Sequence, residues 1–448
     1  MNYPLLIAAI FGLTIAGFAL DSGRLRWHLF CLGVITVGVG YHSVHLGYWY
    51  HAVPFEIIVW LLWLVLALRG DTRLAWERLP LALLFPIIWA VLRGVGTFLA
   101  TGMWDVVLGW SLPFVIGLPM FAVTCVLVKG VAELRVVLRI LIGVSFGMSI
   151  LALLEYWVPS IHNTLPWLFR GPAFAAQDGF VRASFSFFGY NAAAAIVTWG
   201  AVIAYEALLR TRSAKGRLGL GVIFVVDALA VYVSGQRSSW FALALALLIV
   251  GLCYGLRGQL LTAAMALVLV ATATGAFWTH ASTITGYVRT GSTVDTSMNQ
   301  RLDRWADAWS KMSDSPLIGS GYGQWLAHNV PLEIGRTIGV IPALVFTGWL
   351  VAVVFRTVRL AVVSPSREAR RYGSLFLGLA VLWTTQAAIE TIFSTPSLAA
   401  PHWLLICVTW HVPAIVERER LAMKRFRTTQ YTFLAARPEP TIHEPLKT

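Results

Sequence analysis

The chain has 448 residues, 58% of them hydrophobic and only 12% charged, with a mean hydropathy of +0.73. A soluble domain carries about 25% charged residues, so a water-soluble fold is excluded. The formal charge of +13 sits in short joints between apolar runs, which excludes the continuous basic face of a nucleic-acid-binding domain.

Apolar runs follow one another at 4–20, 27–43, 53–68, 80–98, 107–128, 138–157, 187–208, 218–234, 239–255, 260–278, 335–355, 373–394 and 400–416. Runs this long suit helices crossing a bilayer, whereas barrel strands need only about ten residues. The expected fold class is all-α: a polytopic transmembrane helical bundle of thirteen spans, or twelve if one early run does not cross. Residues 1–416 are expected to form one transmembrane domain. Residues 417–448 form a basic cytoplasmic tail, expected to be partly disordered. The first run lacks a basic leader and is read as retained. Cys31, Cys125, Cys253 and Cys407 are too scattered for a disulfide or metal framework.

Of the 34 Lys and Arg residues, 25 fall in one set of alternate joints and in the tail. The positive-inside bias makes that side cytoplasmic. The other side holds nine: Arg93, Arg170, Arg182, Arg237, Arg289, Arg301, Arg304, Lys311 and Arg336. Its two long segments, 158–186 and 279–334, are candidate functional loops. Within the second, Leu302, Trp305, Trp309 and Met312 mark one face of a short helix, expected to lie on the membrane surface. The turns from Ser313 to Gly323 are expected to bring backbone amides near a ligand.

Positive charge is disfavoured on that side, so each such residue asks for a reason. Arg237, in VSGQRSSW, reads as binding an anion or as pairing with Asp227 or Glu390. Arg301 borders the apolar stripe. Arg304 reads as solvated, paired with Asp303 and Asp307. Two arginine forks from different elements can clamp a diphosphate. His328 precedes a helix N-cap at Asn329, with Pro331 in the first turn. That position favours a neutral imidazole able to take a proton. It equally suits a histidine that only holds the loop. Glu333 and Arg336 are spaced to pair with each other, and Asn191 opens its span as a cap. Glu56, Glu206, Asp227 and Glu390 are intramembrane acids that would serve a proton relay in a transporter. No His set has metal-ligand spacing, and no phosphate-loop or dinucleotide fingerprint occurs.

Four segments resemble the O-antigen ligase and polymerase family of bacterial envelope membrane proteins: RASFSFFGYNAAAA (182–195), SGQRSSW (234–240), NQRLDRWADAWSKMSDSPLIGSGYG (299–323) and HNVPLEIGRTIGVIP (328–342). The order Arg237, Arg301, His328 is similar to the family's own. Pro342 stands where ligase patterns commonly carry Gly, Thr or Tyr, and only four residues separate Gly323 from His328. The resemblance implies an inverting glycosyltransferase of the inner membrane, with its site facing the periplasm and no metal or other cofactor. It would move a glycan from an undecaprenyl or other polyprenyl diphosphate onto a sugar hydroxyl. The acceptor is lipid A-core in a ligase, or another lipid-linked repeat unit in a polymerase. Arg237 and Arg301 would bind the diphosphate and His328 would act as base, with Arg182, Asn191, Arg304, Asn329, Glu333 and Arg336 in support. The implied partners are the donor, the acceptor and membrane lipids, and no nucleic acid. A lipid-linked sugar flippase is the reading from a different class.

Overall fold

The computed structural model describes residues 12, 23–39, 44–45, 51–158, 160–161, 174–175, 181–182, 190–255, 258–259, 262, 292–322, 327–390 and 396–435. The elements in chain order are α1 Gly23–Thr36, β1 Val44–His45, β2 His51–Ala52, α2 Pro54–Leu68, α3 Arg73–Glu77, α4 Leu81–Thr101, α5 Trp104–Val115, α6 Gly117–Leu127 and α7 Val131–Trp157. They continue with β3 Phe174–Ala175, β4 Val181–Arg182, α8 Tyr190–Arg210, α9 Ala214–Val233, α10 Arg237–Cys253, α11 Ser292–Asp314, α12 Val330–Ile338, α13 Val340–Val363, α14 Arg367–Ile389 and α15 Pro396–Ala435. The strands make only two antiparallel pairs, β1 with β2 and β3 with β4. The chain is thus an all-α, polytopic membrane bundle.

Among the described residues, seven helices are long and apolar enough to cross a membrane: α4, α7, α8, α9, α13, α14 and α15. Three shorter apolar stretches accompany them at Pro54–Leu68, Ser111–Leu127 and Ser238–Cys253. The expected spans at 4–20 and 260–278 lie outside the described residues, apart from single positions. The run at 107–128 is broken at Ile116, between α5 and α6. The last helix continues to Ala435, well past the expected end of its span.

Small side chains explain what sits in the centre. The Ala-rich start of α8 lets neighbours approach closely, and this helix is buried along almost its whole length. It packs against α7, α9, α10 and α14. Helices α4, α9 and α13 lie further out and expose Leu81, Leu218, Leu344 and Phe355. Without a hydrophobic force between helices in lipid, apolar side chains serve equally well outside and inside. Polar groups are tied down instead. Asp227 of α9 accepts hydrogen bonds from Ser149 Oγ (2.7 Å) and Ser145 Oγ (3.0 Å) of α7.

Between α11 and α13 the chain turns into the bundle. Tyr322 Oη donates to Ala90 O (2.9 Å) and Trp89 Nε1 donates to Ile338 O (2.8 Å), both in the middle of α4. Non-helical backbone at such depth requires protein packing around it. Here α12, α13 and α4 supply that cover. The expected span at 335–355 is accordingly two helices, α12 and α13, divided at Gly339. Gly339 has φ 109°, and a Cβ there would lie 2.3 Å from Leu317 O. Only glycine tolerates that conformation.

Candidate functional site

Three segments deliver polar groups to one carboxylate, that of Glu390. This residue follows the last turn of α14 and is 4% exposed. Ser238 Oγ, in the first turn of α10, donates to Glu390 Oε1 at 2.9 Å. Arg301 Nη2, from α11, donates to the same oxygen at 3.1 Å. His328 Nδ1 faces the other oxygen, Oε2, at 3.7 Å, an ion-pair distance too long for a direct hydrogen bond. Burial pushes the Glu390 pKa up, but His328, Arg301 and Ser238 outweigh it and hold the carboxyl below its ordinary value.

His328 is positioned by its backbone as well as its neighbours. With φ 52°, it is the one described non-glycine residue in the left-handed region. Such a conformation is maintained only when the surroundings impose it. Asn329 imposes it from one side. Its Oδ1 accepts from Leu332 N (2.9 Å), capping α12, and its Nδ2 donates to Ala388 O (2.9 Å), two residues before Glu390. The cap anticipated from sequence therefore also ties the histidine's segment to α14. His328 Nδ1 is buried without a hydrogen-bond partner among the described residues.

The remaining candidates divide by position. Arg237 opens α10, one residue before Ser238; its side chain lies outside the described residues, as do those of Arg182 and Asn191. Asp227 is occupied by its two serines and Glu390 by Arg301 and Ser238. Glu333 and Arg336 are buried and paired with each other, and Glu333 Oε2 accepts from Ala327 N (2.6 Å). They brace α12 and, through Ala327, the backbone next to His328. Arg304 does not pair with Asp303 or Asp307. Asp307 bonds Lys311 (2.8 Å), and Arg304 is half-buried on the Arg301 side of α11.

Helix α11 differs from expectation in length. It runs from Ser292 to Asp314, 23 residues, and buries Ala308 and Met312 while Leu302 is 47% and Trp309 61% exposed. The glycine turn is likewise used internally. Gly319 N, Ser320 N and Gly321 N donate to Ser315 O, Arg336 O and Thr337 O, and Arg93 Nη2 donates to Gly319 O (3.3 Å). Those amides clasp α12 and are not free for a ligand. Sequence reasoning had noted Glu390 only as an intramembrane acid or a partner for Arg237. Its contacts with three other segments were not legible, because no local spacing links them. Arg93 was legible only as a positive charge on the disfavoured side.

Residues 220–347 match the family model described as O-antigen ligase. No match emerges among curated proteins. The matched stretch runs from α9 into α13 and includes Ser238, Arg301 and His328, while Glu390 lies beyond it. Over residues 220–347, the part that supplies all three groups gathered at the Glu390 carboxylate, the chain is similar to the O-antigen ligase family.

Proposed function

We propose that this protein is a metal-independent, inverting glycosyltransferase of the bacterial inner membrane. It transfers a glycan from polyprenyl diphosphate to a sugar hydroxyl on the periplasmic side. The match to the O-antigen ligase model over residues 220–347 supports glycan transfer in general. The observation that carries the finer reading is the convergence of Arg301 and His328 on Glu390, beside the helix start that bears Arg237.

The charge on Glu390 gives each neighbour a role. A carboxylate facing Nδ1 favours the imidazole tautomer protonated there. Nε2 is then left as the acceptor for the proton of the attacking hydroxyl. When His328 takes that proton, Glu390 stabilises the imidazolium. Arg301 shares one Nη with Glu390 and keeps other donors for diphosphate oxygens, and Arg237 adds a second fork. Together they match the charge that develops on the leaving diphosphate as the glycosidic C–O bond breaks. The hydroxyl oxygen attacks the anomeric carbon from the opposite face, so configuration inverts. A single base without a second carboxylate nucleophile fits that course.

The ligase reading is tested by reconstituting purified protein with one lipid-linked repeat unit, with and without lipid A-core. Transfer only onto core is the expected result. A ladder of repeats formed without core would make the protein a polymerase, and movement of the lipid without transfer would make it a flippase.

A further inference from the structure

At the end of the bundle opposite Glu390, five arginines surround a cavity of about 590 Å³: Arg210, Arg212, Arg367, Arg370 and Arg371, with Ser374 beside them. Helix α14 connects the two ends, and its 23 residues set them roughly 34 Å apart. The cavity is therefore separate from the candidate catalytic site.

Three features distinguish it from an ordinary basic rim. First, none of the five guanidinium groups has an ion pair or hydrogen bond among the described residues. The neighbouring acid Glu368 is taken by Arg135 at 2.6 Å. Glu206, at the floor of the adjoining cavity, accepts from Tyr254, and its single charge cannot balance five. Second, Arg367, Arg370 and Arg371 occupy the first turns of α14, where the helix dipole disfavours positive charge. Their placement works against the helix they sit on, unless an anion lies between them. Third, the rim is apolar on one side. Val362, which lines the cavity, is 66% exposed, and Val363 beside it in the chain 68%, at the end of α13.

We infer that this cavity binds a phosphate-bearing anion, presented by the headgroup of an anionic phospholipid. The guanidinium forks match phosphate oxygens, basic pockets between helix ends take such headgroups, and the exposed valines give an acyl chain a surface to follow. The excess of basic residues at this end assigns it to the cytoplasmic leaflet. The inference is independent of the transfer chemistry.

The test uses the full chain in phosphatidylcholine nanodiscs, with and without phosphatidylglycerol, reading thermal stability and lipid adducts by native mass spectrometry. Wild type is compared with R367Q/R370Q/R371Q and with a control, R418Q/R420Q/K424Q, on the exposed continuation of α15. Phosphatidylglycerol is expected to stabilise wild type and the control but not the cavity variant. Binding should weaken by about fivefold per guanidinium removed, on the order of a hundredfold for all three. Inorganic phosphate is added in a parallel arm. A response to it that the cavity variant alone loses would keep the anion site but make its source a soluble phosphate. If the cavity variant fails to fold, Arg370→Gln alone should show the fivefold loss. Equal responses from wild type and the cavity variants would overturn the inference, as would equal losses in the cavity and control variants.

Discussion

The base role proposed for His328 depends on a carboxylate that is charged, and the sign of that dependence can be worked out. Glu390 is held below its ordinary pKa in the folded protein, so its contribution to stability is present above the unfolded value, about 4.3. That contribution is lost as pH falls through the lower folded value. Glu390→Gln should flatten this part of the melting temperature's acid dependence, measured side by side with wild type in detergent. A parallel acid profile in both proteins would mean that Glu390 is not charged in the fold. The same variant should slow turnover at neutral pH, because the imidazolium loses its counter-charge. His328→Ala removes the base itself and should lower turnover by about a hundredfold or more, with donor affinity changed only a few-fold. Affinity falling in step with turnover would instead make His328 a diphosphate ligand. Arg301→Lys keeps the charge but not the fork; it should lose at least about tenfold in transfer rate, since one ammonium cannot serve both Glu390 and a diphosphate oxygen.

The elements explain why some of this could be read in advance and some could not. Continuous apolar runs located α4, α8, α9 and α10 to within a few residues, and α7 except for its first two turns, because length and hydropathy decide what can span a bilayer. The cap at Asn329 was legible too, since its partner Leu332 is only three residues away. The division at Gly339 was not. Apolar residues continue on both sides of it, and what breaks the helix is the distant Leu317 carbonyl packed against the glycine. The inner face of α11, where Ala308 and Met312 are buried, was not legible either: in a membrane protein Trp309 and Leu302 gain nothing by facing inward, so an apolar stripe does not reveal which side is core. Gly339→Ala tests the element directly. It imposes a glycine-only conformation on alanine, costing about 1–3 kcal/mol in strain alone, and adds a Cβ 2.3 Å from Leu317 O. The melting temperature should drop and α12 should loosen, with His328 protection from chemical modification lost at the same time. An unchanged melting temperature would mean that the α12–α13 junction is not closed around Gly339.

At the scale of the whole molecule, the two charged ends make opposite demands on the membrane. On the proposed function, the end bearing Arg301, His328 and Glu390 faces the side where lipid-linked glycans are used, and the end bearing Arg367 faces the side that retains positive charge. Helix α14 joins the two, so fixing the side of one end fixes the other. Ser313 and Arg420 are exposed at the respective ends, one in the last turn of α11 and one on the continuation of α15. With Cys31 and Cys253, the two cysteines that are not buried, replaced by Ser, single cysteines at these positions report sidedness. In sealed spheroplasts a membrane-impermeant maleimide should label Ser313→Cys, whereas Arg420→Cys should react only after the membrane is opened. Labelling of Arg420→Cys alone in sealed cells would turn the molecule over, placing His328 on the side where nucleotide sugars are abundant and removing the reason for a diphosphate-driven transfer.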